Sequence, residues 1–261
     1  MNADILKRIS RALDAAAEVL EDFTAGQIEA TLKAGDDPVT AADLAVNEVL
    51  LGILPQAGEA WLSEETKDDP ARTQSRRLWV VDPIDGTREF VQGIPEWCVS
   101  IGFVVEGEAV AGGILSPSRG EKILGALGSG VTLNGAPVSP RGTTRAEDTV
   151  VLASRSEIRR GEWDQYEGRN WELRPMGSVA LKMGLVAAGM VDATWTLVPK
   201  HEWDVAAGTA LVNASGGRVF IPEHGEPSFN QADLLFPGLA ALGAGTEELF
   251  AGETFTLANR R

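Results

Sequence analysis

The chain has 261 residues, 44% of them hydrophobic, with one cysteine and a formal net charge of −15. This is enough for one large domain or two modest ones sharing a cleft. The acidic balance excludes nucleic acid as a partner, because phosphate-backbone binding needs clustered Lys and Arg. No run approaches the roughly 18 uninterrupted apolar residues of a membrane-spanning helix, and no membrane partner is expected.

Residues 1–30 read as one amphipathic helix, with Ile5, Ile9, Leu13, Ala16 and Leu20 at helical spacing and Gly26 ending its last turns. Acids throughout that segment separate it from a secretory signal. A polar, turn-rich stretch over 33–38 precedes a second helix over 41–53 capped by Thr40. Short strands follow at 61–63 and 78–81, with a charged loop over 67–77 between them. From 99 to 133 apolar segments alternate with glycines as hairpins, and Asn134-Gly135 is a two-residue hairpin turn. After a loop over 139–148, a strand at 149–153 opens an alternation of strands (near 191–196 and 217–221) and helices (177–189 and 204–215). The pattern is α+β over 1–147, an N-terminal domain, and α/β over 148–261, a C-terminal domain. Cys98 has no partner for an internal disulfide, which fits a reducing cytoplasm.

The most informative segment is Leu78-Trp79-Val80-Val81-Asp82-Pro83-Ile84-Asp85-Gly86-Thr87. An apolar strand runs into two acids three residues apart, which can turn toward a common point. Hard cations such as Mg²⁺ prefer carboxylate and carbonyl oxygens, and the Ile84 carbonyl lies between the acids. Gly86 and Thr87 would open a helix whose N–H groups can take a phosphate oxygen. The plainer alternative is a turn at Asp85-Gly86 with Asp82 as a cap. Glu64 and Glu65 directly follow the strand ending at Ser63 and, taken alone, read as a solvated loop. Asp43, in a first helical turn, reads as a capping residue. Asp204 reads equally as an N-capping acid or, because the small residues at 206–208 let the helix pack close, as an acid aimed inward. An acidic chain acting on phosphates needs bound cations to reverse the local field, with carboxylates as their ligands.

Taken together, Ser63-Glu64-Glu65, Asp82-Pro83-Ile84-Asp85-Gly86-Thr87 and Trp203-Asp204-Val205-Ala206-Ala207-Gly208 resemble the inositol monophosphatase superfamily of lithium-sensitive, magnesium-dependent phosphatases. The segments 37–43 and 177–189 extend the likeness. The resemblance implies a layered αβαβα fold, with an N-terminal antiparallel sheet and a C-terminal mixed sheet. It implies two or three Mg²⁺ ions, with Mn²⁺ as a substitute, held by Glu64, Asp82, the Ile84 carbonyl, Asp85 and Asp204. Thr87, supported by Asp43, would orient and help deprotonate the attacking water, and the Gly86 and Thr87 amides would hold the phosphate. Lys33 falls near a basic residue of the family's mobile N-terminal loop. Members are often homodimers.

Within the family, Thr87-Arg88-Glu89-Phe90, Gly177-Ser178 with Lys182, and Lys200-His201-Glu202 resemble the bacterial 3'(2'),5'-bisphosphate nucleotidase branch. This makes 3'(2')-phosphoadenosine 5'-phosphate the first substrate expected, with Lys182 and Lys200 beside Asp204 as binding groups. Lys182 could equally be a surface-facing helix residue. Inositol 1-phosphate is the alternative, with histidinol phosphate and fructose bisphosphate after it; it would need an acid just before the Trp203-Asp204 block, and Glu202 is at hand but at too short an offset. A silent ligand-binding member of the family would be expected to lack a metal ligand or Thr87, and all are present. Glycines 125, 128 and 130 lie among hairpins and open no helix, so they are turn glycines and not a dinucleotide loop.

Overall fold

The computed structural model describes residues 2–32 and 38–257. Lys33 and Asp37 lie outside the described residues. In the first half of the chain, α1 (Asn2–Leu20) is followed by a short ribbon of β1 (Ala30–Leu32) and β2 (Pro38–Thr40), then α2 (Ala41–Ile53). Strands β3 (Ala60–Ser63) and β4 (Arg77–Asp85) lead to the short helix α3 (Thr87–Gln92). A meander of β5 (Cys98–Val105), β6 (Glu108–Ser116), β7 (Glu121–Ala126), β8 (Gly130–Leu133) and β9 (Ala136–Pro137) completes a seven-stranded sheet in the order β3-β4-β5-β6-β7-β8-β9. It is antiparallel apart from the β3–β4 pair.

The second half contributes β10 (Val150–Ser154), α4 (Arg155–Arg159), β11 (Glu172–Met176), α5 (Val179–Ala187), β12 (Ala193–Thr196), β13 (Lys200–His201), α6 (Glu202–Ala214), β14 (Arg218–Phe220), β15 (Leu235–Phe236) and β16 (Leu239–Leu242). A mixed sheet forms in the order β11-β10-β12-β16-β14, parallel among β11, β10 and β12 and antiparallel at β16. Among the described residues no helix is long and apolar enough to cross a membrane.

Period-two side-chain alternation builds the layers. On β4, Trp79 and Val81 pack against Ile9, Leu13, Val46 and Leu50 of α1 and α2, whereas Leu78 and Val80 join Ala206, Ala207 and Leu211 of α6 on the opposite face. On β10, Val150 and Leu152 face the same α5–α6 layer, while Val151 and Ala153 meet Trp163, Tyr166, Trp171 and Trp195 outside. The central strands of the two large sheets, such as β4, β5 and β10, are thus buried on both faces, which explains their long apolar runs. The result is the expected αβαβα stack.

The small residues around α6 are matched by glycines below it. A Cβ on Gly112 would sit 2.5 Å from the Ala207 carbonyl oxygen, and one on Gly102 would sit 2.8 Å from the Ala206 Cβ. On its other side, Gly208 lies where a Cβ would come 2.5 Å from that of Met183 in α5. These close approaches bring the first turn of α6 down to the end of β4.

The helix boundaries differ from their sequence reading at three places, one being α5, which runs Val179–Ala187 and not 177–189 because Ser178 is its N-cap. The first helix stops at Leu20, not near residue 30, in i→i+3 bonds such as Phe23 N–H to the Leu20 carbonyl at 3.1 Å. Gly26 does not break a helix. It adopts φ 81° and donates its N–H to the Phe90 carbonyl at 2.9 Å, packing backbone to backbone on Gly93. The helix at 204–215 starts earlier, at Glu202, because His201 is its N-cap and Asp204 occupies the third helical position.

Candidate active site

Residues three apart on a regular strand point to opposite faces, so Asp82 and Asp85 need a local device to meet. That device is a register shift: Asp82 pairs with Ser100 and Asp85 with Cys98, so three steps on β4 match two on β5. A bulge of one residue restores a common side. Asp204, from the first turn of α6, joins them, and one carboxylate oxygen from each of Asp82, Asp85 and Asp204 lies within 4.8 Å of the others. Glu64 enters from the end of β3, where its N–H donates to the Val81 carbonyl at 3.2 Å and extends the β3–β4 ladder one step.

Each acid is tied on one side. An Asp82 oxygen accepts the Ile84 N–H at 3.0 Å. On Asp85, Oδ2 accepts both the Ser178 hydroxyl at 2.5 Å and the Ala180 N–H at 2.6 Å. Asp204 Oδ2 accepts the His201 N–H at 2.9 Å, closing the helix start. Asp43 is both the cap its position suggested and part of the site. Its Oδ2 takes the Thr40 N–H and hydroxyl at 2.9 and 2.6 Å, while Oδ1 lies 3.1 Å from the Thr87 hydroxyl. That hydroxyl also lies 2.9 Å from the Ile84 carbonyl oxygen. Gly86, at φ 97°, is the N-cap of α3, and a Cβ there would meet the Glu96 carbonyl oxygen at 2.9 Å. Only glycine fits this turn.

The electrostatics are those of an overcrowded anion cluster. Burial pushes Asp82 well above the usual carboxylate range, and Glu64, Asp85, Asp204 and Asp43 push it further. Burial likewise raises Asp204 to about 7; Lys200 opposes the rise, and Asp85 and Glu64 add to it. Asp43 is raised by burial against its hydrogen bonds from Thr40 and Thr87. Convergent all-oxygen donors that cannot share one space as free anions fit hard divalent cations, which would neutralise them.

The remaining residues singled out from the sequence fall in varied places. Lys182 is not surface-facing: it is 3% exposed, and its ammonium donates to the Met176 and Gly177 carbonyls at 3.3 and 3.4 Å. Burial lowers it to about 8, with Lys200 adding and Asp85, Glu157 and Glu89 opposing. Lys200, on β13, is half-buried near Asp204. Glu202 points away from the cluster, its two oxygens accepting the Asn230 and Gln231 amides at 2.9 and 2.8 Å. His201 stacks flat on Trp203 with ring centroids 4.3 Å apart. Cys98 is a buried thiol raised well above its ordinary value, chiefly by burial.

Sequence reasoning missed two supports. Asn47 accepts the Ser63 hydroxyl at 2.7 Å and donates to Thr66 at 3.1 Å, pinning the Glu64 turn to α2. Its position four residues after Asp43 on the same helical face was the available signal. The second is the pair of donors from Ser178 and Ala180 to Asp85, which no spacing could announce.

A model of the inositol monophosphatase family matches residues 2–251. The chain belongs to the inositol monophosphatase family. It is accordingly a metal-dependent phosphomonoester hydrolase. Among its relatives, an inositol-1-monophosphatase of Mesorhizobium japonicum is 30% identical over 237 residues, covering 87% of this chain and 88% of that one. The extragenic suppressor protein suhB of Bartonella henselae superposes with a TM-score of 0.79 at 26% identity, over 94% of this chain and 96% of that one. CysQ of Bacteroides thetaiotaomicron, a bacterial member of the family, superposes with a TM-score of 0.75 at 29% identity, over 93% and 98%.

Proposed function

We propose that this family member hydrolyses a small phosphate monoester with Mg²⁺, and that its first substrate is 3'(2')-phosphoadenosine 5'-phosphate. The observation that carries the hydrolytic part is the meeting of Asp82, Asp85 and Asp204 beside the Thr87–Asp43 pair. Glu64, Asp82 and the Ile84 carbonyl would hold one ion, and Asp82, Asp85 and Asp204 a second. Bound cations supply charge neutralisation and lower the pKa of water. The chain's own groups do the rest. Thr87 Oγ1 accepts a proton from the attacking water while its own proton moves toward Asp43 Oδ1, 3.1 Å away. Asp43, raised by burial from the ordinary aspartate value, is the better base for it. The water oxygen bonds to phosphorus as the ester P–O bond breaks, and the leaving oxygen takes a proton from solvent. The Gly86 and Thr87 amides, at the uncapped start of α3, orient the phosphate.

Lys200 supports the substrate choice by placing positive charge on the Asp204 side, where a second phosphate would benefit; Lys182, buried against the Met176 and Gly177 carbonyls, does not reach it as a direct contact. The engagement of both Glu202 oxygens by Asn230 and Gln231 argues against Glu202 as a ligand for ring hydroxyls. Inositol 1-phosphate is the second reading, favoured by the name of the Mesorhizobium relative. The reading includes a homodimer, and a cytoplasmic location suited to the lone Cys98 thiol. Phosphate release with Mg²⁺, Mn²⁺ or EDTA should be measured on 3'-phosphoadenosine 5'-phosphate, inositol 1-phosphate, fructose 1,6-bisphosphate and histidinol phosphate. Preference for the first supports the proposal, and preference for inositol 1-phosphate replaces the substrate while leaving the mechanism. Activity undiminished by EDTA defeats the mechanism.

A further inference from the structure

Ser178 stands at the entrance to α5 with φ 50° and ψ 110°, in the left-handed region that residues with a side chain seldom enter. Such a conformation persists only where its surroundings impose it. Lys182 does so from behind, holding the Met176 and Gly177 carbonyls. Glu96 does so from the side, accepting the Gly177 N–H at 2.7 Å while paired with Arg155 at 2.7 Å. So fixed, the Ser178 hydroxyl lies 3.5 Å from the buried Cys98 thiol and has two duties at closer range. As acceptor it caps α5 through the Leu181 N–H at 3.0 Å. As donor it gives its one proton to Asp85 Oδ2 at 2.5 Å, alongside the Ala180 N–H at 2.6 Å. A helix cap requires only the first.

We propose that Ser178 is a positioning residue, whose hydroxyl proton holds the Asp85 carboxylate in the orientation in which it meets Asp82 and Asp204. The two donors saturate Oδ2, so the carboxylate cannot rotate without losing charge-assisted hydrogen bonds inside a buried site. The inference rests on the metal-dependent reading above and deepens it. Removing such an outer partner of a ligand weakens metal binding about tenfold to a hundredfold.

The test is calorimetric titration of Mn²⁺ into the EDTA-stripped full chain, wild type first. Both S178G and S178A should bind Mn²⁺ about tenfold or more weakly. Glycine accepts φ 50° without strain, so S178G should melt no lower than S178A in EDTA, separating lost positioning from lost backbone fit. In a D85N background, S178G should bring little further loss, because the hydroxyl then has no carboxylate to hold. Wild-type affinity in S178G, or an undiminished further loss in the D85N background, overturns the inference and leaves the metal reading standing. A wild type that binds no Mn²⁺ overturns the metal reading and the inference with it. If S178G fails to fold, the Mn²⁺ affinity of S178A decides the matter by the same criterion.

Discussion

Asp82 concentrates the conflict on which the site is built. It is 2% exposed, and burial and four neighbouring carboxylates hold it above its ordinary range. Asp82→Asn keeps the shape and removes one of the repelling charges. The variant should lose at least about a hundredfold in kcat/KM with Mg²⁺. It should nevertheless melt higher than wild type in EDTA, which scanning calorimetry would show. A higher melting point with lost turnover is the signature of a residue kept for ligand binding at the expense of stability. Thr87 makes the complementary case. Its hydroxyl lies between Asp43 and the Ile84 carbonyl, so Thr87→Val removes the proton path and leaves every carboxylate in place. Single-turnover kinetics at saturating Mn²⁺ should show a fall of about 10²–10⁴ in rate.

At the scale of elements, α6 serves packing and chemistry together. Its small residues lie on the glycines of β5 and β6, and that closeness delivers Asp204 to the bulge at the end of β4. Gly112→Ala would drive a methyl group to 2.5 Å from the Ala207 carbonyl oxygen, a backbone atom that cannot swing aside. Chemical denaturation should show a loss of about 1–3 kcal/mol, with Mn²⁺ affinity falling as α6 is displaced. Gly52, near the end of α2, has open space within 4 Å of where a methyl group would sit, and no positive φ. Gly52→Ala should therefore stabilise the protein by about 0.5–1 kcal/mol without touching catalysis. The sign differs between two identical substitutions because only one glycine separates two packed layers.

Across the whole molecule, Glu59 ties the outer helical layer to the first sheet. Its carboxylate, 1% exposed, meets Arg8 of α1 at 2.7 Å, Arg77 of β4 at 2.9 Å and the Trp79 indole at 2.9 Å. Burial raises it, but the hydrogen bonds and charge of Arg8 and the bond from Trp79 outweigh burial and hold it below the usual glutamate value of 4.5. A depressed folded-state pKa contributes stability that is present above the unfolded value and lost as pH falls through the folded one. Glu59→Gln should accordingly cost about 3 kcal/mol at neutral pH, since it leaves the buried Arg8 and the half-buried Arg77 without their counter-charge. That difference should shrink as pH drops below about 4.5, the ordinary glutamate value. Urea titrations of both proteins at several pH values would show it.

Much of this was legible along the chain. The apolar runs, the Asn134-Gly135 turn, the Thr40 cap and the order of the acids are local properties, set by backbone preference and side-chain periodicity within a few residues. Those acids, in their motifs, carried the family resemblance that implied a metal-dependent phosphatase. Fates that depend on what another element places opposite were not legible. Lys182 became a buried brace because the 176–178 loop presented two carbonyls to it. Glu202 turned from the cluster because the 230–231 loop presented two amides. Asn47 and Ser178 acquired their roles from partners far away in sequence. Periodicity says which face of an element is buried; only the packing of remote segments decides which polar group meets which, and that choice separates a ligand from a support.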